Sequence, residues 1–442
     1  MPLKIIASLA GLLLVAGCGE EQRVRPSRVA AGSALAWSPT ARLSTGVELA
    51  APAVGIAASG AALALFTESD SYTDTTRALK LAAAPTGQPF GTTRVLLDDA
   101  AAPALGVSPD GKAVLSYLRN PNGPGRQAVL LRGKVDGTFG EPVALGRADA
   151  PDRLALAPDG TVVAMTESFR GRHLRVDVRL IAPNGQRGVA RELGSVDLSS
   201  AGTLAVGTDG TIALVFLDDR SRGPARVRVV SRAPGGQLHV RTAMEGRLAA
   251  PQVAVGPDGR IAVVATHVED QGEAAAYGGV VIAERRPGAR HFGAKIAAPV
   301  TPRRRPYAFN PTVAYDTRGH RIVAWVQDAD PGDTDGEAED SRGASFSWTG
   351  GRPRRLDGTT RVVTLVGTEK GVLALTDSGP WQAFVVDHTS ARRVAAPAGE
   401  ASAYATSAVS DRALLASPAR LLLAFVGTKP EQVAVATATL AP

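Results

Sequence analysis

The chain has 442 residues, of which 44% are hydrophobic but only 5% aromatic, and a formal net charge of +7. That length allows two or three ordinary domains, yet no long polar tract divides the interior, so one large repetitive domain fits as well. A lone cysteine, Cys18, excludes an intrachain disulfide, and arginines spread along the chain instead of clustering with aromatics exclude nucleic acid as a natural partner.

Residues 1–17 carry one cation, Lys4, and then an apolar run from Ile5 to Ala16 that is too short to span a bilayer and reads as a secretory signal. The stretch Leu14-Val15-Ala16-Gly17-Cys18 resembles the lipobox of bacterial lipoproteins. The resemblance implies cleavage before Cys18, a diacylglyceryl thioether on its sulfur, and stable anchoring by two or three acyl chains. The membrane is then the first expected partner, and the expected location is its extracytoplasmic face. Without Lys4 the charge is +6, a modest excess that suits anionic lipid or wall polymers. Residues 18–35 are polar and unpatterned and read as a flexible tether, leaving residues 36–442 as a single domain.

That domain opens with AWSPTARLS at residues 36–44, which reads as a fourth strand lacking its first three. A repeat follows. VSPDGKAVLSY at Val107 recurs as LAPDGTVVAMTE at Leu156, VGTDGTIALVFLDD at Val206 and VGPDGRIAVVATH at Val255, with weaker copies at Ile56, Tyr315 and Val366. The anchoring glycines Gly60, Gly111, Gly160, Gly210, Gly259, Gly319 and Gly371 stand about 50 residues apart. Within each unit a short apolar run meets a turn in which Pro suits the first corner and Gly tolerates positive φ. Next comes a strand apolar on both alternating sets, as in Ile212–Phe216, which needs cover on both faces. A third strand alternates more strictly, as in Leu174–Leu180, and a fourth follows pieces such as TFGEPVAL at Thr138.

Four hairpin-linked strands per unit, covered on both faces, describe the blade of an all-β β-propeller. Residues 408–440 supply three strands (408–409, 420–426 and 432–440) without a fourth, so the N-terminal strand is expected to complete the last blade and seal the ring. The count is eight four-stranded blades, or seven if the C-terminal unit is irregular. The SPDG turn with its apolar strand resembles the TolB-like (PD40) repeats of bacterial propellers over residues 51–442, and through them the WD40-like class. The Arg-Leu-Thr signature of the former is replaced by Phe-Gly-x-x-Val pieces, and the Trp-Asp ending, paired kelch glycines and sialidase Asp box are missing.

No metal-ligand spacing joins the six histidines, and no Gly-x-Ser-x-Gly elbow appears. One chemical feature recurs in register. Where the second strand ends stand Glu68, Glu167, Asp218 with Asp219, Glu269, Asp328 and Asp377, with Arg119 in their place in the second unit. Loops that open on one face would gather these as a rim for a cation, a polyamine or a basic peptide; the competing view is solvated acids paired with Arg77, Arg170, Arg220 and Arg222. The longest loop, from Gln327, holds Asp328, Asp330, Asp333 and Asp335, oxygen ligands suited to calcium, although dense acid also marks a disordered, soluble insertion. No other cofactor is implied.

On this reading the protein is a lipid-anchored, extracytoplasmic propeller serving as a binding or assembly module of a bacterial cell envelope, more binder than enzyme, with envelope proteins or cationic or peptide ligands as partners. The competing class is a carbohydrate-active hydrolase or lyase working at the channel mouth.

Overall fold

The computed structural model describes residues 35–44, 52–68, 77–121, 123, 125–148, 150–170, 173–196, 203–218, 224–271, 274–299, 307–328, 344–356, 362–368, 371–377, 381–396, 413–417, 420–426 and 433–440. Its strands form eight antiparallel blades. Blade 1 runs Ala53–Ile56, Ala62–Glu68, Ala78–Ala84 and Arg94–Leu97, each strand paired with the one before it. Blades 2 to 7 repeat this order, with first strands at Ala100–Val107, Ala150–Leu156, Leu204–Val206, Leu248–Val255, Tyr307–Tyr315 and Val362–Thr368.

The second strands are the hydrophobic centre of each blade. Ala62–Glu68 and Ile212–Asp218 are buried at every position, as their doubly apolar pattern requires when both neighbouring blades pack against them. First strands of successive blades touch one another all the way round, blade 8 to blade 1 included, so they line the axis. Gly55 shows how closely they approach: a Cβ there would lie 2.1 Å from Val107 Cγ2 of the next inner strand.

Closure takes the expected form. Val433–Leu440, the last strand of the chain, accepts both Leu35–Trp37 and Ala41–Arg42, with Leu35 opposite Leu440 and Ala41 opposite Val435. The first strand of this blade is Ala413–Ser417; residues 408–409, where the sequence placed it, lie outside the described residues.

The repeated Asp-Gly segment is a hairpin whose Asp caps the turn. The carboxylates of Asp159, Asp209 and Asp258 accept the N–H two residues on, from Thr161, Thr211 and Arg260, at 2.8, 2.9 and 3.1 Å. Gly111 and Gly160 take φ of +82° and +81°, which side chains rarely adopt. Asp110 belongs to this geometry, its carboxylate accepting from Ser108 Oγ.

Arginines staple one blade to the next. Arg132 of blade 2 donates to the carbonyls of Gly160, Ile181 and Ala182 in blade 3, Arg94 donates to Gly137 O, and Arg354 donates to Asp387 O and His388 O. Hydrogen bonds from a charged donor contribute about 1.5–3 kcal/mol each when shielded from water. The charge of these three arginines is thus structural.

Candidate active site

The second strand leaves the Pro-Asp-Gly turn and ends on the opposite face of the disc, where the next first strand begins. Glu68, Arg119, Asp218, Asp328 and Asp377 are each the last residue of a second strand, while Glu167 and Glu269 lie near the ends of Val162–Arg170 and Ile261–Gln271. Glu68 and Asp218 stand eight residues after their turn glycines, but Glu167 stands seven after Gly160. Side chains alternate along a strand, so this single step turns Glu167 to the other face of its blade.

The consequence is that two acids face one interface. Glu167 shares its face with Val163 and Met165, and Asp218 shares its face with Ile212, Leu214 and Phe216; these apolar residues form one cluster between blades 3 and 4. Both carboxyls therefore project into the same interface at its loop-bearing end. Both are buried, at 5% and 3% exposure. Arg228, on the third strand of blade 4, donates to Asp218 at 3.3 Å. Arg153, on the axis-lining strand of blade 3, brings its charge to Glu167. Burial raises the Glu167 pKa above the ordinary carboxyl value, and the Arg153 charge offsets only part of that rise. Arg153 is half-buried by surface area, yet protein crowds it enough to lower its own pKa, against the pull of Glu167.

Glu68 is placed apart, facing the junction of blades 8 and 1, where Lys80 holds it at 2.7 Å. The two described ion pairs use one diagonal: the acid's partner lies two residues beyond its cross-strand neighbour, Ala78 or Arg226. Two of the acids' partners are thus strand residues, while Arg220, Arg222 and the side chain of Arg170 lie outside the described residues. Arg119 is exposed, with a donated contact to Tyr117 Oη at 3.3 Å. The side chains of Glu269, Asp328 and Asp377, and the whole of Cys18, Asp219, Asp330, Asp333 and Asp335, lie outside the described residues. Among the described residues no group of three or more acids, histidines or cysteines could hold a metal ion, and no helix is long and apolar enough to cross a membrane.

A second feature of this face escaped the sequence reading. Near the start of the inner strands, Ala102-Pro103, Pro151-Asp152, Ala250-Pro251 and Asn310-Pro311 each oppose a single residue of the second strand, a bulge repeated in four blades. Ala102, Ala250 and Asn310 sit at φ of +52°, +46° and +48°, a costly conformation for residues with a Cβ. The recurring X-Pro pair was the available signal. In blade 3 this bulge sits between Glu167's cross-strand neighbour Ala150 and Arg153.

No family model matches the chain. No curated protein matches it either. Among solved structures it is similar to a polysaccharide lyase of family PL25, an ulvan lyase bound to an oligosaccharide, with 11% identity over 74% of this chain and 90% of that one and a TM-score of 0.45. It is similar to an α-L-arabinofuranosidase from Fusarium graminearum, with 13% identity, 77% and 93% coverage and a TM-score of 0.39. A puromycin hydrolase gives 14% identity, 87% and 59% coverage and a TM-score of 0.45.

These likenesses correct the resemblance drawn from the repeats. The three named structures are a polysaccharide lyase and two hydrolytic enzymes and not TolB-like, PD40 or WD40-like lipoproteins, so that assignment, the envelope binding or assembly module built on it, and the leaning away from an enzyme are withdrawn. The physical reason is plain: an SPDG turn solves the geometry of a hairpin and recurs whatever a propeller does. Likeness this distant speaks to fold alone, and the chemistry must come from this chain's own side chains.

Proposed function

We propose that the chain is a carbohydrate-active hydrolase, or a lyase of the same substrate class, working at the channel mouth between blades 3 and 4. The observation that carries this reading is the presence of two buried carboxyls on strands facing one interface, one of which, Glu167, is held towards its protonated form. Glycoside cleavage needs two carboxyls with different duties: a proton donor for the leaving oxygen, and a carboxylate that activates water or attacks the anomeric carbon. Pushing two such groups apart in pKa is how one site holds both. Glu167 suits the donor, and Asp218, paired with Arg228, suits the carboxylate. Arg153 would steady the Glu167 anion left after proton transfer. Placement outside the cytoplasm through Cys18 rests on the sequence and would bring an extracellular polysaccharide within reach.

The test is a panel of neutral and uronate-containing polysaccharides incubated with the purified protein, followed by new reducing ends and by ultraviolet absorbance of unsaturated products. Hydrolysis gives the first alone; elimination gives both. Turnover that falls at least a hundredfold in Glu167→Gln, with the fold intact, is the expected result. No cleavage of any member, or full activity in that variant, overturns the reading.

A further inference from the structure

A second cluster, away from the acid pair, lies between blades 4 and 5 on the turn-bearing side. Ser231 is the penultimate residue of Ala225–Arg232, the third strand of blade 4, and Arg241 lies on the adjoining fourth strand, His239–Gly246. Arg285 ends the third strand of blade 5, Ala274–Arg285. The two guanidiniums converge on one hydroxyl: Arg241 Nη1 is 3.5 Å and Arg285 Nη2 3.4 Å from Ser231 Oγ, which is itself 3% exposed.

Two cations sharing one neutral acceptor is an unbalanced arrangement. Arg241 Nε donates to Arg290 O and Arg285 Nη1 to Ala289 O, so backbone carbonyls fix both forks. Arg285 Nε is buried and meets no acceptor among the described residues. Burial, and then the charge of Arg241, push the Arg285 pKa down. Glu284, the chain neighbour of Arg285, is engaged by Arg260 and Arg321. Arg290, whose carbonyl Arg241 holds, stands exposed and adds positive potential. Among the described residues no carboxylate contacts either guanidinium, and the two share a hydroxyl.

We propose that Ser231, Arg241 and Arg285 form an oxyanion site that takes a sulfate or phosphate group, free or carried as an ester on a larger molecule. Guanidinium forks present paired N–H donors that match such oxygens, and the long contacts to Ser231 leave both forks free to tighten on a better acceptor. The Ser231 hydroxyl would then turn to donate. The site is independent of the acid pair and stands whether or not the chain cleaves carbohydrate.

The test measures binding of sodium sulfate and sodium phosphate to the whole protein by calorimetry, and its melting against sodium chloride of equal ionic strength. Wild type should gain about 2 °C in Tm at saturating oxyanion, a shift small because the chain is large. Arg241→Gln and Arg285→Gln should each lose at least tenfold in affinity, while the exposed Arg286→Gln keeps it. Should an arginine variant fail to fold, Ser231→Ala leaves both carbonyl contacts in place and should weaken binding about fivefold. A sulfated dextran oligosaccharide and a sugar phosphate, run beside the free ions, separate an ester-borne group from a free one. No binding of any of these four probes by wild type, or equal binding by all variants, overturns the proposal.

Discussion

Removing residues 35–44 should cost the ring its closure, and the structure sets the scale. Leu43, 8% exposed, packs among Val54 and Phe66 of blade 1 and Val433 and Val435 of blade 8. Its N–H donates to Val433 O at 2.9 Å, its carbonyl accepts from Thr93 Oγ1 at 2.8 Å, and Ser44 Oγ accepts from Val433 N–H at 2.7 Å. Burial of one leucine contributes about 2 kcal/mol and each hydrogen bond about 1 kcal/mol, before the two short strand ladders are included. The loss therefore comes to about 5 kcal/mol or more, a large part of the 5–15 kcal/mol that holds a typical domain together. Urea unfolding of the chain with and without these residues measures it directly, with the midpoint falling and the slope showing whether unfolding stays cooperative. Leu43→Ala alone should cost roughly 2–3 kcal/mol. If the truncated chain unfolds at the parental urea concentration, these residues do not close the ring.

Glu167→Gln mimics the protonated acid, so its stability relative to wild type should depend on pH in a defined sense. The native state holds this proton more tightly than the unfolded chain, so wild-type stability falls as pH rises from the ordinary Glu value through the raised native one. The variant should match wild type near pH 4 and gain on it above, by at most about 1.4 kcal/mol per pH unit; parallel melting curves from pH 4 to 8 would refute the buried, raised carboxyl. Gly55→Ala forces Val107 aside between two inner strands and should cost about 1–3 kcal/mol in urea unfolding, with a neutral result denying the close approach. Cys18→Ser should move the protein from the membrane fraction to the soluble fraction on centrifugation, and retention in the membrane would dismiss the tether.

The parts legible in the sequence are those set by local rules. Pro-Asp-Gly turns, doubly apolar strands and a period of about 50 residues all act within one unit, so blade count and the N-terminal closing strand followed from them. The site was harder because its geometry is cross-strand. Lys80 and Arg228 reach their acids only along a diagonal created by pairing, and no spacing along the chain announces it. Glu167 reads in the sequence as an acid at a strand end, and only its different count from the turn glycine marks the face it takes, that of the blade 3–4 interface. The X-Pro bulges were equally visible and equally unread, because a repeated Ala-Pro looks like an ordinary strand entrance until its register is known. Function itself was misread where turn chemistry common to many propellers was allowed to speak for a family.

The most direct measurement compares kcat on the cleaved polysaccharide for Glu167→Gln and Glu68→Gln, two buried acids at neighbouring counts on equivalent strands, each beside a cation. The account predicts that Glu167→Gln loses at least a hundredfold while Glu68→Gln, paired at the closing junction, keeps its turnover. Equal kcat in both variants would contradict the assignment of the blade 3–4 interface as the active site.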